Sequence, residues 1–301
     1  MRPSYTPKAQ CHTGGVDAEH FILASGDRLD YFDSHSGSSL LLYHHGTPAA
    51  GPLHRDILEP AAASDLRVVQ LVRPGYGRST RRPGRIIADV AELSNELADH
   101  LGFQHYVTMG WSGGGPHALA TVALNPQRCA AAMSLAGVGM FGQPDLDFLT
   151  GMGEDNIDEF GAALAGEDAI RDYLEPVVES LRDVTGEQIV DVMGSLLPAE
   201  DRAALTGEYG DNAAEVFRWA VHTGVDGWLD DDLAFTRPWG IQLSEITNPV
   251  TIWQGASDLM VPFAHGQWLA RRMPHAATHL LEGHGHLSIG EPALAEGFAW
   301  L

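Results

Sequence analysis

The sequence is short of positive charge, of cysteine and of long apolar runs, and each shortage closes off a class of protein. Lys and Arg number 18 against 40 Asp and Glu, a formal net charge of −22, and Lys8 is the only lysine. A surface this acidic repels phosphate backbones and anionic lipid, which argues against nucleic-acid and membrane partners. Cys11 and Cys129 are too few and too scattered for a disulfide framework, and no C-x-x-C occurs. No run approaches the roughly 18 apolar residues of a bilayer span. The opening "MRPSYTPKAQCHTGG" lacks the apolar core of a signal peptide. The expectation is a soluble cytoplasmic protein. Hydrophobic residues make up 44% of 301, ample for one large domain or one domain carrying an insertion.

Short β-rich runs alternate with helical patterns. "SLLLYHHG" (39–46), "RVVQLVR" (67–73), "HYVTMGWS" (105–112) and "CAAAMSLAGV" (129–138) read as buried strands, as do "PVTIWQG" (249–255) and "ATHLLEG" (277–283). Between them lie helical stretches, one carrying Ile86, Val90, Leu93, Leu97 and Leu101 on a single face before Gly102. Strands that are apolar throughout imply a mostly parallel central sheet with helices on both faces, an α/β fold. Residues 140–240 break the rhythm. They hold helical periodicity, many acidic residues, Trp219, Trp228 and Trp239, and Gly- and Pro-rich ends. The expectation is a helical cap or lid at 140–240, inserted in a core domain of residues 1–139 and 241–301.

"GWSGG" (110–114) fits G-x-S-x-G, a weak match alone. Its context strengthens it: a strand runs into Gly110 and a helix leaves from Gly114. That arrangement holds a serine hydroxyl at the carboxyl end of the sheet, with helix N–H groups facing developing negative charge. A serine nucleophile needs a base, and the base an orienting acid. Asp258 follows the strand at 249–255. His286 sits in "LEGHGHLS" (281–288), one helix and one strand later, which returns the chain to the same rim.

These motifs resemble the α/β-hydrolase superfamily along nearly the whole chain. "HHGTP" (44–48) is similar to the family's loop after its third strand, "RPGYGRS" (73–79) to the turn after its fourth, and "GHGH" to its histidine loop. The resemblance implies a triad of Ser112, Asp258 and His286, with His284 a bystander. It implies an oxyanion hole from the N–H groups of Gly113 and Thr47, with the Thr47 hydroxyl free to touch substrate or not, and His45 bracing the loop. No cofactor is expected. A metal held by His284 and His286 lacks the further ligands zinc requires, and no H-E-x-x-H exists.

The chain departs from the family in carrying Val72 where members often have an aspartate that braces the turn. Haloalkane dehalogenases and epoxide hydrolases of this fold use an aspartate where Ser112 stands, so both activities are disfavoured. Trp111, Phe141 and Trp219, with Phe148, Phe217, Trp228 and Trp239, are candidates for an apolar substrate wall, with burial as the alternative. "DDD" (230–232) reads as a solvated helix start, and His117 as packed or exposed. The expected reaction is hydrolysis of a small ester or lactone with an apolar acyl part. C–C bond hydrolysis, perhydrolysis, a cofactor-free lyase reaction or slow ligand binding by the same fold stay open.

Overall fold

Successive side chains of a strand point to opposite faces, so a strand without polar positions needs cover on both. In the computed structural model, which describes residues 18–301, β3 (Ser39–His44) obeys this rule. Leu40 and Leu42 join one apolar cluster, Leu41 and Tyr43 another. Lys8, Cys11 and the rest of the opening stretch lie outside the described residues. β4 (Leu66–Leu71), β5 (Tyr106–Trp111), β6 (Cys129–Leu135) and β7 (Val250–Gly255) are buried almost throughout, while β8 (Ala277–Leu281) closes the edge.

With β1 (Glu19–Ile22) and β2 (Arg28–Asp33) they form one sheet, ordered β1-β2-β4-β3-β5-β6-β7-β8. β3 to β8 pair in parallel, and β1 and β2 are antiparallel. α1 (Arg55–Ala63) packs on the Leu41 face, and α2 (Val90–His100) and α3 (Gly114–Leu124) on the Leu40 face. β4 lies on one side of β3 and β5 on the other. The loops leaving β3 and β5 therefore diverge at the carboxyl edge, the place where open α/β sheets bind ligands.

Among the described residues no strand occurs between β6 and β7. The chain instead forms α4 (Glu154–Ala165), α5 (Glu167–Leu181), α6 (Ile189–Val192), α7 (Ala199–Ala204), α8 (Gly207–Val221) and α9 (Asp226–Phe235). Ile170, Leu174, Val178 and Leu181 recur at helical spacing along α5 and join a cluster with Ala214 and Val221 of α8 and Leu229 and Leu233 of α9. After β7, α10 (Phe263–Arg272) returns to the Leu40 face and α11 (Gly290–Trp300) to the Leu41 face. No helix among the described residues is long and apolar enough to cross a membrane.

Two elements have no counterpart in the sequence pattern. β1 is exposed except at Phe21, and β2 buries a carboxylate, Asp30, among its apolar residues. That carboxylate does the bracing left undone by Val72. Asp30 Oδ2 accepts from Arg78 N at 2.9 Å, while Ser79 Oγ donates to Val72 O at 2.8 Å.

Candidate active site

β5 runs straight into the turn at Gly110–Gly114, and Ser112 there has φ of 56°. This left-handed conformation costs a residue with a side chain about 1–2 kcal/mol, so the surroundings must impose it. They do: Ser112 N donates to Leu135 O at 2.8 Å and Ser112 O accepts from Gly115 N at 2.9 Å. A Cβ on Gly110 would strike the Gly114 carbonyl, and one on Gly114 the His44 carbonyl. Glycine is required at both positions for the turn to fit against β3.

Asp258, in the loop after β7, is 3% exposed and fully engaged. Its Oδ2 lies 2.8 Å from His286 Nδ1 and accepts from Gln254 Nε2 at 2.9 Å. Its Oδ1 accepts from Met260 N and Val261 N at 2.9 and 2.8 Å. Burial works against a protonated His286, but the Asp258 charge and hydrogen bond, with Asp201 adding to them, carry its pKa above the ordinary imidazole value. His284 does something else: its Nδ1 lies 3.1 Å from Ser288 O.

No hydrogen bond joins Ser112 to His286 among the described residues. Trp111 Nε1 donates to His286 O at 3.2 Å and so ties the two loops together. Such catalytic contacts are commonly long until substrate enters.

The histidine loop is gripped from the insertion. Asp201 of α7 is fully buried and accepts from His286 N at 2.7 Å, Leu287 N at 3.1 Å, and Ser288 N and Oγ at 2.9 and 2.8 Å. Gly285 leaves the room for it, since a Cβ there would meet the Asp201 carboxyl. Nothing in the sequence marks Asp201, an ordinary acid at the start of a short helix. It acts on the imidazole through the loop backbone and through its charge. The Asp201→Asn protein should lower kcat by roughly ten- to a hundredfold with KM little changed. It should also move the acid limb of kcat/KM to lower pH, because the base must be neutral and a lost negative charge lowers the His286 pKa. A pH–rate profile reads both effects; an unmoved acid limb would assign Asp201 a packing role alone.

The backbone N–H groups of Thr47 and Gly113 have no acceptor among the described residues, and both residues border the cavity beside Ser112. The Thr47 hydroxyl is turned away from that task. Oγ1 donates to Asp231 Oδ2 at 2.7 Å and accepts from Arg73 NH2 at 3.0 Å. His45 Nδ1 lies 2.7 Å from Gly46 O and its Nε2 accepts from Arg73 N at 3.3 Å, so the ring braces the loop.

The acidic run at 230–232 is a correction to the sequence reading. All three carboxylates are buried, not solvated. Asp231 pairs with Arg73 and Arg85 at 2.5 and 2.6 Å and accepts from Tyr76 OH at 2.9 Å, and Asp230 pairs with Arg81 at 2.9 Å. Their partners Arg73, Arg81 and Arg85 stand together in the sequence, a concentration of positive charge that an otherwise acidic chain needs for such anions. Burial opposes ionisation of Asp231, but Arg73 and Arg85 outweigh it and hold the pKa well below the usual carboxylate range. His117 is packed: it is 1% exposed, with Nδ1 2.8 Å from Gly113 O.

A cavity of about 260 Å³ opens beside Ser112, between the loops after β3 and β5 and helices α4, α5, α8 and α9. Phe160, Phe217, Trp228 and Phe235 line it with Val177 and Met193. Of the aromatic residues expected there, Phe217 and Trp228 line it, while Trp111, Phe141 and Trp219 lie elsewhere. Trp111 ends β5 with its ring against Gly290 of α11. Phe141 packs edge-on to Phe148, ring centres 5.3 Å apart, in the apolar cluster under α10. Trp219 crosses Phe32 at 4.9 Å; Phe217, two residues and about 200° earlier on α8, takes the cavity side instead. Nor is the wall purely apolar, because Glu159 and Asp232 form part of it.

The model of the alpha/beta hydrolase fold family matches residues 39–173, from β3 into α5. The eight-stranded order and the strained serine turn agree with that match. The chain has the α/β-hydrolase fold. In sequence it is similar to haloalkane dehalogenase 2 of Mycobacterium tuberculosis, 35% identical over 130 residues. That match spans 42% of this chain and 44% of the dehalogenase, less than half of either. Pimeloyl-[acyl-carrier protein] methyl ester esterase of Aromatoleum aromaticum is 25% identical over 78% of this chain and 86% of the esterase. The crystal structure of a bromoperoxidase from Bacillus anthracis superposes with a TM-score of 0.66 at 18% identity, covering 94% of this chain and 96% of that one, a likeness of fold.

Proposed function

We propose that the protein hydrolyses a carboxylic ester or lactone through an acyl-enzyme on Ser112. The observation that carries this reading is the pair of acceptor-free N–H groups, Thr47 and Gly113, bordering one cavity with a serine held at φ of 56°. Two such donors suit an oxyanion, and removing one from a serine hydrolase costs about 3–4 kcal/mol.

Ser112 Oγ attacks the carbonyl carbon as His286 Nε2 takes its proton. Asp258 keeps the other nitrogen, Nδ1, protonated and stabilises the imidazolium. The tetrahedral oxyanion rests on the Thr47 and Gly113 N–H groups. His286 returns the proton to the departing alcohol oxygen, and water then repeats the sequence on the acyl-enzyme. The helical insertion serves as the cap, covering the nucleophile and shaping the acyl site with Phe160, Phe217 and Phe235. Ester cleavage is the activity named for the esterase relative. The dehalogenase's chemistry does not transfer, because a serine cannot form the alkyl ester that an aspartate nucleophile forms.

Steady-state hydrolysis of 4-nitrophenyl acetate, butyrate and hexanoate, with δ-valerolactone alongside, tests the reading. Turnover by the wild type should fall by on the order of 10⁶ in Ser112→Ala, to the level of residual binding effects. Ester turnover that survives Ser112→Ala would overturn it.

A further inference from the structure

Three successive carboxylates on α9 meet different fates. Asp230 and Asp231 are saturated by arginines, but Asp232, 1% exposed, faces another acid, Glu159 of α4. The two carboxyls are hydrogen-bonded to each other. Among the described residues one nitrogen donor reaches either of them, Trp228 Nε1 at 2.6 Å from Glu159 Oε1. Asp232 Oδ2 is sealed from solvent and receives no donor from the protein. A carboxylate can accept about four hydrogen bonds, so the pair is short of donors, and a buried unpaired carboxylate is costly.

The rest of the cavity continues the pattern. A third carboxyl, Asp155, lines it, and among the described residues no lysine, arginine or histidine does. The Phe160, Phe217, Trp228 and Phe235 rings line the same cavity, and aromatic faces attract cations. What this wall lacks is a positively charged donor. A protonated amine supplies charge and up to three N–H groups at once.

We propose that Glu159 and Asp232 are the recognition site for a protonated amine carried by the substrate, so that the preferred ester or lactone is an amino-substituted one. This rests on the reading of Ser112 as the nucleophile only for the word substrate; the cation site stands on its own residues. Burial and the neighbouring acid raise the pKa of Asp232 well above the carboxyl range, and burial raises that of Glu159. Both shifts favour a proton held between the two carboxyls. Asp155 and Tyr173 stand on the Glu159 side, and Asp231 and Arg85 behind Asp232. An entering ammonium displaces the shared proton, so its binding strengthens as pH rises, up to the point where the amine itself deprotonates.

The test is calorimetric titration of the full-length protein with hexylammonium and with 1-hexanol, a neutral chain of matched length, from pH 6 to 8.5. Hexylammonium should bind about tenfold or more tightly than hexanol at pH 8. Its affinity should fall toward pH 6, with about one proton released per ligand bound in buffers of differing ionisation heat. Asp232→Asn and Glu159→Gln, each near-isosteric, should lose the preference while still binding hexanol. Hydrolysis of ethyl 6-aminohexanoate against ethyl heptanoate adds the catalytic readout, with the lower KM expected for the amino ester. Hexanol binding as well as or better than hexylammonium in the wild type overturns the proposal, whatever the variants do. Hexylammonium binding without turnover of either ester would keep the cation site and overturn the esterase reading; turnover without cation preference would do the reverse.

Discussion

The Asp258→Asn protein should lose about four orders of magnitude in kcat and keep its fold. Asp258 accepts four hydrogen bonds, two on each oxygen. An asparagine can leave its oxygen to the Met260 and Val261 N–H groups, so the loop survives. Its amide nitrogen must then face His286 Nδ1, which has to accept in place of donating. The ring proton moves to Nε2, the atom required to be free as the base, and Ser112 is left without an acceptor for its proton. The lost negative charge also lowers the His286 pKa, so residual activity should extend to lower pH than in the wild type. Stopped-flow and steady-state rates on a 4-nitrophenyl ester check both points. A loss under tenfold would mean that Asp258 does not orient the base.

The second large effect is on stability. Asp231→Ala leaves Arg73 and Arg85 buried without their counter-charge and removes the acceptor of Tyr76 OH and Thr47 Oγ1. Breaking a buried ion pair from one side costs about 3–5 kcal/mol, which should lower the thermal midpoint by about 10 °C. Because the folded-state pKa is depressed, this contribution is whole above about pH 5 and fades as pH falls through the folded value. The gap between wild type and variant in urea unfolding should therefore narrow in acid. Thr47 leans on Asp231, so the variant should also lose activity at temperatures where it remains folded. A variant within 1 kcal/mol of the wild type, by the roughly 1 kcal/mol reach of ordinary surface changes, would show that the arginines find other partners.

What could be read from the sequence follows from which features are local. β3, β5 and β7 announce themselves because both their faces are buried, leaving nearly uninterrupted apolar runs. The Gly110–Gly114 turn shows itself as a local G-x-S-x-G pattern, although its glycines answer to contacts both near and far in the chain, Gly110 to Gly114 and Gly114 to His44. Asp258 and the histidine loop stand just past strand ends, and the family resemblance singles out His286 there, whose Nδ1 lies 2.8 Å from Asp258 Oδ2. The other carboxylates were not legible. Whether Asp201, Asp231 or Asp232 is solvated or buried depends on partners 73 to 184 residues away in sequence, and an acidic residue looks alike in either case. The aromatic wall was legible only in part, for a related reason. Trp219 and Phe217 share a helix, and only the docking of α8 decides which of them turns toward Ser112.

The most direct measurement of the central claim is intact mass after exposure to a fluorophosphonate, on wild type, Ser112→Ala, His284→Ala and His286→Ala. The account predicts a single adduct on the wild type, undiminished in His284→Ala, absent in Ser112→Ala and greatly slowed in His286→Ala. A folded wild-type protein that takes up no label, or an adduct that persists without Ser112, would contradict it.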